Sequence, residues 1–345
     1  MTDTTTLLLN LINEGKNITE ISNTMKMSHK QIYNIITLIK NKGFDFERKY
    51  YYNGDIIYMP KKKCIEDNDE GVNIITSPDD QKFEALVISD LHIGNIKERI
   101  DILNQAYDYC AKEGIHIILI CGDIIEGMRD SAQTIHHNIC EQIDYALKNY
   151  PFDNNILNFA TLGDHDYDAL QKNGQNLALV FESYRHDIIP LGYCTGQINI
   201  KNDKIIIKHP SDKFEELKSE NIHHSLMLLG HSHQMKVQPS NDVTKVKVPT
   251  LSNLEHNGNI TSSAIRIRLD FLNGMINYGL FTQLLFDKKI YTLSEFETYL
   301  GFGKDVSGNK PIKLEEDRTK KKILSNKNNQ IEKFNSKWKK IKKID

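Results

Sequence analysis

The spacing of hydrophobic residues changes from helical to strand-like within the first sixty residues. Residues 5–16 carry a leucine-rich helical pattern, and capping-box signatures at NITE (17–20) and SHKQ (28–31) predict the starts of two further helices. Two strand-like stretches, FERKYYY and DIIYMP, lie on either side of Asn53-Gly54, a dipeptide typical of a tight hairpin turn. The pattern therefore predicts three short helices followed by a β-hairpin.

Three short helices followed by a hairpin resemble a winged helix-turn-helix domain, here over residues 1–63. The resemblance rests on the order of the elements, and it implies that the third helix enters the major groove of DNA. The residues it would bring to DNA, at the exposed start of this helix and on the wing, are Ser28, His29, Lys30, Tyr33 and Lys49. A small helical module for protein interaction or dimerisation is the alternative interpretation.

A parallel α/β sheet is predicted after an acidic linker. Residues 64–82 are acidic and interrupted by Gly and Pro, although NIIT (73–76) could add a short strand. Apolar runs at 83–90, 115–123 and 156–164 alternate with helical patterns, and each run ends in an aspartate. This rhythm predicts parallel strands whose carboxyl ends form a ligand site.

Residue types that bind metals gather at the predicted strand ends. Asp-Leu-His and Gly-Asp close the first two runs, Gly-Asp-His-Asp closes the third, and a single His and Gly-His-Ser-His follow two later apolar runs. Carboxylates and imidazoles in one site suit manganese, iron or zinc. His223 and His224 are rivals of His209 for the fourth cluster. The clusters comprise Asp90, His92, Asp123, Asp164, His165, Asp166, His209, His231 and His233.

The five clusters, taken in order, resemble the motifs of calcineurin-like metallophosphoesterases over roughly residues 83–235. The resemblance implies an α/β fold, a four-layer α/β/β/α sandwich over residues 83–301, with residues 236–285 in its second sheet. It implies two divalent metal ions, with manganese favoured and iron, zinc, nickel or magnesium as alternatives, and a metal-bridging hydroxide as nucleophile. By motif position, one metal takes Asp90, His92 and His233, the other takes Asp164, His209 and His231, and Asp123 bridges both.

Asp164 and Gly127 depart from motifs of this family, and Glu126 supplies an acid that could pair with the catalytic histidine. Asp164 stands where the motif has Asn, and its carboxylate oxygen should still bind metal. The added negative charge should move the pH optimum of hydrolysis towards alkaline values. The alternative is an inactive site that only binds its ligand. Glu126 occupies the position of an acid that holds the catalytic histidine in the phosphoprotein phosphatase branch, which implies a catalytic Glu126–His165 dyad. Gly127 replaces the phosphate-binding Arg of that branch and leaves room for a diester.

The charge distribution favours a nucleic-acid partner. The net charge of −2 hides charges of +4 over residues 1–63 and +8 over residues 310–345, around a body with a charge of −14. Basic ends suit a phosphate backbone, and an acidic body suits metal ions. After a helical pattern at 286–301, the Lys-rich residues 302–345 are predicted to be a flexible tail that binds nucleic acid or serves only solubility.

The composition and the motifs together limit where the protein is expected to be located and what it is expected to do. Five cysteines without a CxxC pair and the lack of a long apolar stretch favour a cytoplasmic protein with no membrane span. A composition rich in Asn, Ile and Lys suits an AT-rich bacterial or phage genome. The sequence favours a metal-dependent phosphodiesterase or nuclease acting on nucleic acid, with DNA preferred. The alternatives are a phosphomonoesterase or small-nucleotide phosphodiesterase with a regulatory N-terminal module, and a non-catalytic DNA-binding scaffold. The sequence leaves the oligomeric state open.

Overall fold

The computed structural model of the chain describes residues 3–61, 71–128, 133–210, 226–240, 243–254, 262–287 and 289–300. Its helices are α1 (Asp3–Asn13), α2 (Ile18–Met25), α3 (His29–Lys40), α4 (Ile100–Glu113), α5 (Ile139–Asn149), α6 (Asp164–Asn173) and α7 (Leu177–Tyr184). Its strands are β1 (Phe46–Tyr51), β2 (Ile56–Pro60), β3 (Val72–Ile75), β4 (Lys82–Ile88), β5 (Ile117–Cys121), β6 (Leu157–Leu162), β7 (Ile188–Tyr193), β8 (Thr195–Ile200), β9 (Asp203–Lys208), β10 (Leu226–Leu229), β11 (Lys236–Gln238), β12 (Thr244–Lys247), β13 (Ser263–Leu272), β14 (Met275–Phe286) and β15 (Ile290–Tyr299). None of the helices in this described part combines the length and the apolar composition needed to cross a lipid bilayer.

The strands form two sheets, which confirms the expected mixed α/β architecture. The seven-stranded sheet has the order β15-β14-β13-β4-β5-β6-β7, and its members β4 to β7 are parallel, as the strand–helix rhythm predicts. The eight-stranded sheet has the order β11-β12-β10-β9-β8-β3-β1-β2. Strands β9, β10 and β12 run parallel within it, so this sheet also has an edge where several carboxyl ends lie side by side.

Two hydrophobic layers hold the sheets in place. Between the sheets, Val87 and Phe159 of the seven-stranded sheet belong to one buried cluster with Ile205 and Leu228 of the other. On the outer face of the seven-stranded sheet, residues of β4 and β5 pack with α4 and α5 in a second cluster. Burying a side chain of this size contributes roughly 1.5–3 kcal/mol, so the strands that carry the site are firmly fixed.

The N-terminal helices and hairpin are present as predicted, but they are built into the larger sheet. Asn17 and Ser28 cap α2 and α3 through capping boxes. Strand β1 pairs with β3, and β3 pairs with β8, so the hairpin extends the eight-stranded sheet. The short strand expected at NIIT is therefore confirmed as β3. By their contacts, Met1–Phe302 form one compact unit. The identity of the N-terminal segment as a winged helix stays a prediction.

The start of α3 faces the protein interior, so the expectation that His29 and Tyr33 are exposed is wrong. Their exposed fractions are 6% and 8%, and the Tyr33 ring stacks on His186 with a centroid distance of 4.7 Å. The two residues lie four positions apart on one helix face, and that face packs against the region of α7. The other residues expected at DNA are exposed and their DNA contacts stay a prediction: Ser28, Lys30 and Lys49.

Two further expectations about the body need correction. The helix predicted over residues 286–301 is wrong, because Ile290–Tyr299 forms β15 and pairs with β14. Pairing with a long neighbouring strand outweighs the weak helical pattern of the segment. Residues 236–285 do not lie in one sheet: β11 and β12 join the eight-stranded sheet, whereas β13 and β14 lie beside β4. The tail at 302–345 and the rivals His223 and His224 lie outside the described residues.

Candidate metal centre

The carboxyl ends of strands from both sheets meet at one edge of the sandwich. Asp90, Asp123 and Asp164 lie two residues beyond the ends of β4, β5 and β6. From the facing sheet, His209 directly follows β9, and His231 lies two residues beyond β10. Because neighbouring parallel strands end together, side chains that are far apart in sequence converge there.

The seven predicted ligands form two groups, and His92 also belongs to a third group with Glu126 and His165; within each group the potential ligand atoms lie within 4.8 Å of one another. The Oδ2 atom of Asp123 lies between the groups, 3.0 Å from Nε2 of His209 and 3.8 Å from Nε2 of His92. The grouping matches the division between two metals that the motifs imply. The groups are Asp90, His92 and His233, and Asp123, Asp164, His209 and His231.

The aspartate that replaces the usual asparagine keeps an oxygen in the ligand position. Oδ1 of Asp164 lies 3.2 Å from Nε2 of His209 and 3.6 Å from Nδ1 of His231. In the other group, Oδ1 of Asp90 lies 3.1 Å from Nε2 of His233. The replacement therefore changes the charge of the cluster and leaves its arrangement of donor atoms intact.

Two buried imidazoles present a ring nitrogen to the cluster. Nδ1 of His209 donates a hydrogen bond to the carbonyl oxygen of Cys121 at 2.6 Å, and Nδ1 of His92 donates to the Glu126 carboxylate at 2.9 Å. In the neutral rings this directs the Nε2 lone pairs at the carboxylates, and both Nε2 atoms are buried without a hydrogen bond among the described residues. Because a lone pair buried among anions is stabilised by a cation, the donor set fits a dimetal site.

The backbone at the ligands is strained. Non-glycine residues rarely adopt positive φ, and such strain concentrates at functional sites, where the surrounding structure must hold it. Five of the seven predicted ligands have φ between 47° and 68°, namely Asp90, His92, Asp123, His231 and His233. The left-handed conformation turns each side chain inward just past its strand, which explains how both residues of Asp-x-His and of His-x-His reach the cluster.

Asp166 holds two of these loops together, a role that the sequence did not reveal. Its carboxylate accepts hydrogen bonds from the backbone N–H groups of Gly163, Ile124 and Ile125 at 2.8, 3.1 and 3.0 Å. Burial, together with the charge of Asp123, raises the pKa of Asp166 to about 7. The acid three residues after Gly163 at the start of α6 is the capping signal that could have identified this residue.

Ser89 and Thr250 position Asp90 and were also missed. The Ser89 hydroxyl donates to Oδ2 of Asp90 at 2.5 Å, and the Thr250 hydroxyl donates to the Asp90 carbonyl at 2.8 Å. The backbone N–H of His231 donates to Oδ2 of Asp90 at 3.2 Å. Oδ2 is thereby engaged by the protein, which leaves Oδ1 directed towards His233 and the cluster.

Charges of opposite sign set the pKa values in the cluster. Burial opposes ionisation of Asp123, but the charge of His209 outweighs it and holds the pKa well below its usual range. Burial also disfavours the charged form of His209, but the charge of Asp123 overcomes this and raises its pKa well above the usual range. The hydrogen bond with Asp164 raises the pKa of His231. Protons therefore compete with cations for these nitrogens, and binding of a metal ion should release protons.

The family of this region follows from a comparison with known proteins. Residues 83–246 match the family model described as calcineurin-like phosphoesterase. They form a calcineurin-like phosphoesterase domain. The match covers the motifs that carry the resemblance, and it supports a hydrolase that acts on phosphoester bonds. The family thus explains why carboxylates and imidazoles converge at this edge.

Several solved structures resemble part of this chain at low identity. A predicted phosphoesterase from Streptococcus pneumoniae TIGR4 is 14% identical with a TM-score of 0.37, covering 63% of this chain and 98% of its own. Vacuolar Protein Sorting 29 from Cryptosporidium parvum is 15% identical with a TM-score of 0.40, covering 64% and 100%. The E. coli phosphoesterase Yfce is 14% identical with a TM-score of 0.36, covering 56% and 96%. No curated protein matches the sequence.

In the phosphoesterase domain, the side chain of Glu126 lies near both His92 and His165, and the catalytic Glu126–His165 dyad stays a prediction. The Glu126 carboxylate is hydrogen-bonded to His92, and its Oε2 atom lies 3.9 Å from Nδ1 of His165. Nδ1 of His165 donates instead to the backbone carbonyl of Glu126 at 2.6 Å. His165 is thus oriented by the Glu126 backbone, while the Glu126 side chain orients a predicted metal ligand. The motif position predicts that Glu126 is near both histidines but not which one its carboxylate contacts.

The surroundings of Gly127, which stands where protein phosphatases have an arginine, leave no room for a side chain. Gly127 has φ of +71°, and a Cβ atom there would lie 2.8 Å from the carbonyl oxygen of His165. The buried side chain of Gln142 accepts a hydrogen bond from the Gly127 N–H at 2.7 Å. A larger residue would therefore disturb the loop that carries Glu126, which accounts for this departure from the phosphoprotein phosphatase pattern.

Proposed function

We propose that this chain is a dimetal phosphodiesterase that cleaves nucleic acid. The observation that carries the proposal is the convergence of all seven predicted ligands into two adjacent groups, with Asp123 between them. Two divalent ions bound there would supply Lewis acidity to activate water and to neutralise the phosphate. Such a site performs hydrolysis without a protein nucleophile, which agrees with the burial of Cys121 and its raised pKa.

His165 is the residue best placed to move a proton. Its Nε2 atom lies 4.0 Å from Oδ2 of Asp123, and its side chain is 15% exposed, so the ring faces both the cluster and incoming substrate. Because a carbonyl can only accept, the hydrogen bond to Glu126 fixes a proton on Nδ1 and leaves Nε2 to exchange protons with the substrate. The protonated ring would donate to the leaving oxygen of the phosphoester.

Two features favour a diester and a polymeric substrate. The position that carries a phosphate-binding arginine in protein phosphatases is Gly127, so the site lacks that clamp for a terminal phosphate. The basic segments at both ends of the chain suit a phosphate backbone. Exposed Lys30 and Lys49 lie in the N-terminal segment and would add to such binding.

The test is hydrolysis by the purified chain with Mn²⁺. A chromogenic phosphodiester, the matching monoester, and labelled single- and double-stranded DNA are compared. Asp123→Ala serves as the inactive variant, and Asp108→Ala, an exposed change on α4, serves as its matched control. We expect cleavage of the diester and of DNA that is lost in Asp123→Ala and kept in Asp108→Ala.

The other outcomes distinguish the alternatives. Hydrolysis of the monoester alone would replace the proposal with a phosphomonoesterase. DNA binding without turnover of any substrate, under several divalent metals, would indicate a non-catalytic scaffold. Equal activity in the wild type and in Asp123→Ala would show that the activity does not come from this site.

A further inference from the structure

A row of lysines crosses the eight-stranded sheet at the edge that carries the metal centre. Lys208 of β9 is paired in register with Leu229 of β10, and Leu229 is paired with Lys247 of β12. Lys247 is paired in turn with Lys236 of β11. Residues paired across adjacent strands point to the same face of a sheet, so Lys208, Leu229, Lys247 and Lys236 form one line across the sheet. We call the three lysines of this line, together with Leu229 between them, the lysine row.

The lysine row lies on the outer face of the sheet. The preceding residues Ile207, Leu228 and Val246 are completely buried in the core between the sheets. Because successive side chains alternate between faces, Lys208 and Lys247 point outward, where both are partly exposed. Neighbouring strands are about 4.8 Å apart, so the row extends over roughly 15 Å of surface.

Two residues of the row lie at the ends of strands that lead into predicted metal ligands. Lys208 immediately precedes the predicted ligand His209, and Leu229 lies two residues before His231. The side chain of His231 is 47% exposed, whereas those of His209 and Asp90 are completely buried. The cluster is therefore accessible at His231, which lies just beyond Leu229 at the end of β10.

Within the described part of the chain, no ion pair neutralises the positive charge of the row. None of the ion pairs among the described residues involves Lys208, Lys236 or Lys247. Lys245, two residues before Lys247 on the same strand, adds a fourth exposed lysine to this face. Lys236 and Lys247 lie on adjacent strands about 4.8 Å apart, which is less than the Debye length of about 8 Å at physiological salt, so these neighbouring charges act together on a polyanion.

We infer that the lysine row binds the phosphate backbone of a nucleic-acid strand and guides it to the metal centre. The inference rests on the proposed function, and it assigns substrate binding to a surface outside the two basic ends of the chain. Lysines that contact phosphates position a strand without reading its sequence. The row therefore predicts binding that is independent of sequence and strongly dependent on salt.

The test replaces three lysines and keeps the full chain. The row variant carries Lys208→Gln, Lys236→Gln and Lys247→Gln. The control variant carries Lys82→Gln, Lys112→Gln and Lys148→Gln, which remove the same charge from exposed positions on β4, α4 and α5. The affinity for a fluorescent single-stranded oligonucleotide is measured in EDTA at several salt concentrations, and the melting temperatures of both variants are compared.

A smaller salt dependence in the row variant alone is expected. Each phosphate contact on a single strand contributes about 0.7 to the slope of log affinity against log salt, so three lost contacts lower the slope by about 2. Between 50 and 200 mM salt, the affinity of the wild type should then fall about 20-fold more than that of the row variant. The control variant should keep the wild-type slope.

The outcomes separate this inference from the proposed function. Equal slopes for the row and control variants, with both proteins folded, would overturn the lysine row as a binding surface. The measurement in EDTA requires no turnover, so it gives an answer even if the chain hydrolyses nothing. Conversely, turnover of a small chromogenic diester by the wild type tests the metal centre and is independent of the row.

Discussion

The Glu126 carboxylate holds His92 through a hydrogen bond of 2.9 Å to Nδ1. Burial disfavours the charged form of His92, but this hydrogen bond, with the charges of Asp123 and Asp90, outweighs it and raises the pKa of the ring. The same carboxylate fixes the orientation in which Nε2 faces the cluster. Carboxylates that orient ligating histidines in this way commonly govern metal affinity.

We therefore expect Glu126→Ala to weaken metal binding by about 10–100-fold. The loss should appear in titration calorimetry with Mn²⁺, and Glu126→Gln, which can still accept the hydrogen bond, should recover part of it. Glu141→Ala, an exposed change on α5, is the control. If Glu126→Ala kept the metal affinity and lowered only kcat, the carboxylate would act through His165 instead.

The charge of Asp164 predicts the direction of a pH shift. Asp164→Asn keeps a ligand oxygen but removes one negative charge beside His209 and His231. Deprotonation of a metal-bound attacking water would then be easier, so the pH optimum of Asp164→Asn should lie below that of the wild type. The shift should reach at least about one pH unit, since that corresponds to 1.4 kcal/mol and a unit charge about 4 Å away contributes more.

The measurement is the pH profile of kcat/KM for a small diester with saturating metal. Asp168→Asn, which changes a buried carboxylate of α6 that ion-pairs with Lys172, controls for charge removal from the same helix. An unchanged optimum in Asp164→Asn would disprove the charge argument. If the wild type showed no turnover and Asp164→Asn did, the aspartate would be what makes the site inactive.

His186 should make the stability of the fold depend on pH. Its Nδ1 atom lies 2.6 Å from the Tyr58 hydroxyl and its Nε2 atom lies 2.9 Å from the Thr37 hydroxyl. Burial, assisted by the charges of Arg48 and Lys40, lowers its pKa to about 3. Between that pH and about 6.5 the unfolded chain binds a proton that the folded chain does not, so stability falls as the pH falls.

Between pH 7 and pH 5 this histidine should cost the wild type about 2 kcal/mol of unfolding free energy. His186→Gln should remove that part of the pH dependence, although it lowers stability at pH 7. Urea unfolding at the two pH values measures the difference, with the exposed His137→Gln as control. Parallel pH dependences for the wild type and His186→Gln would show that the folded protein tolerates a charged His186.

Gly163→Ala tests the packing between the loops of the metal centre. A Cβ atom at Gly163 would overlap the side chain and the backbone N of Asp123. Such overpacking typically costs 1–3 kcal/mol, and the displaced Asp123 should lower activity by more than stability alone explains. Thermal unfolding and kcat are measured together.

Gly174→Ala is the matched control for this change. It places a Cβ at φ of +69° at the end of α6, where no heavy atom lies within 4 Å. It should lower stability by about 1 kcal/mol and leave the activity of the folded protein unchanged. Equal effects of the two changes on kcat would show that the crowding at Asp123 is unimportant.

The candidate ligands could be predicted from the sequence because each one lies in a short local pattern. An apolar run followed by Asp or Gly-Asp predicts a strand and the turn after it, and parallel strands bring such ends together. The helical prediction over residues 286–301 was wrong because pairing with β14, a contact that a local pattern does not encode, decided the structure of β15. The predicted exposure of Tyr33 was wrong because docking against His186 involves residues 153 positions apart.

By itself, the sequence determined the α/β class, the seven candidate ligands and the phosphoesterase resemblance, since these follow from local strand ends and motif order. Only the tertiary structure decided that the N-terminal hairpin joins the large sheet, that Glu126 contacts His92, and that Lys208, Lys247 and Lys236 lie in one row. These relationships depend on strand register and on side-chain orientation between distant segments. Both are fixed by burial of the whole core, and no short stretch of sequence contains that information.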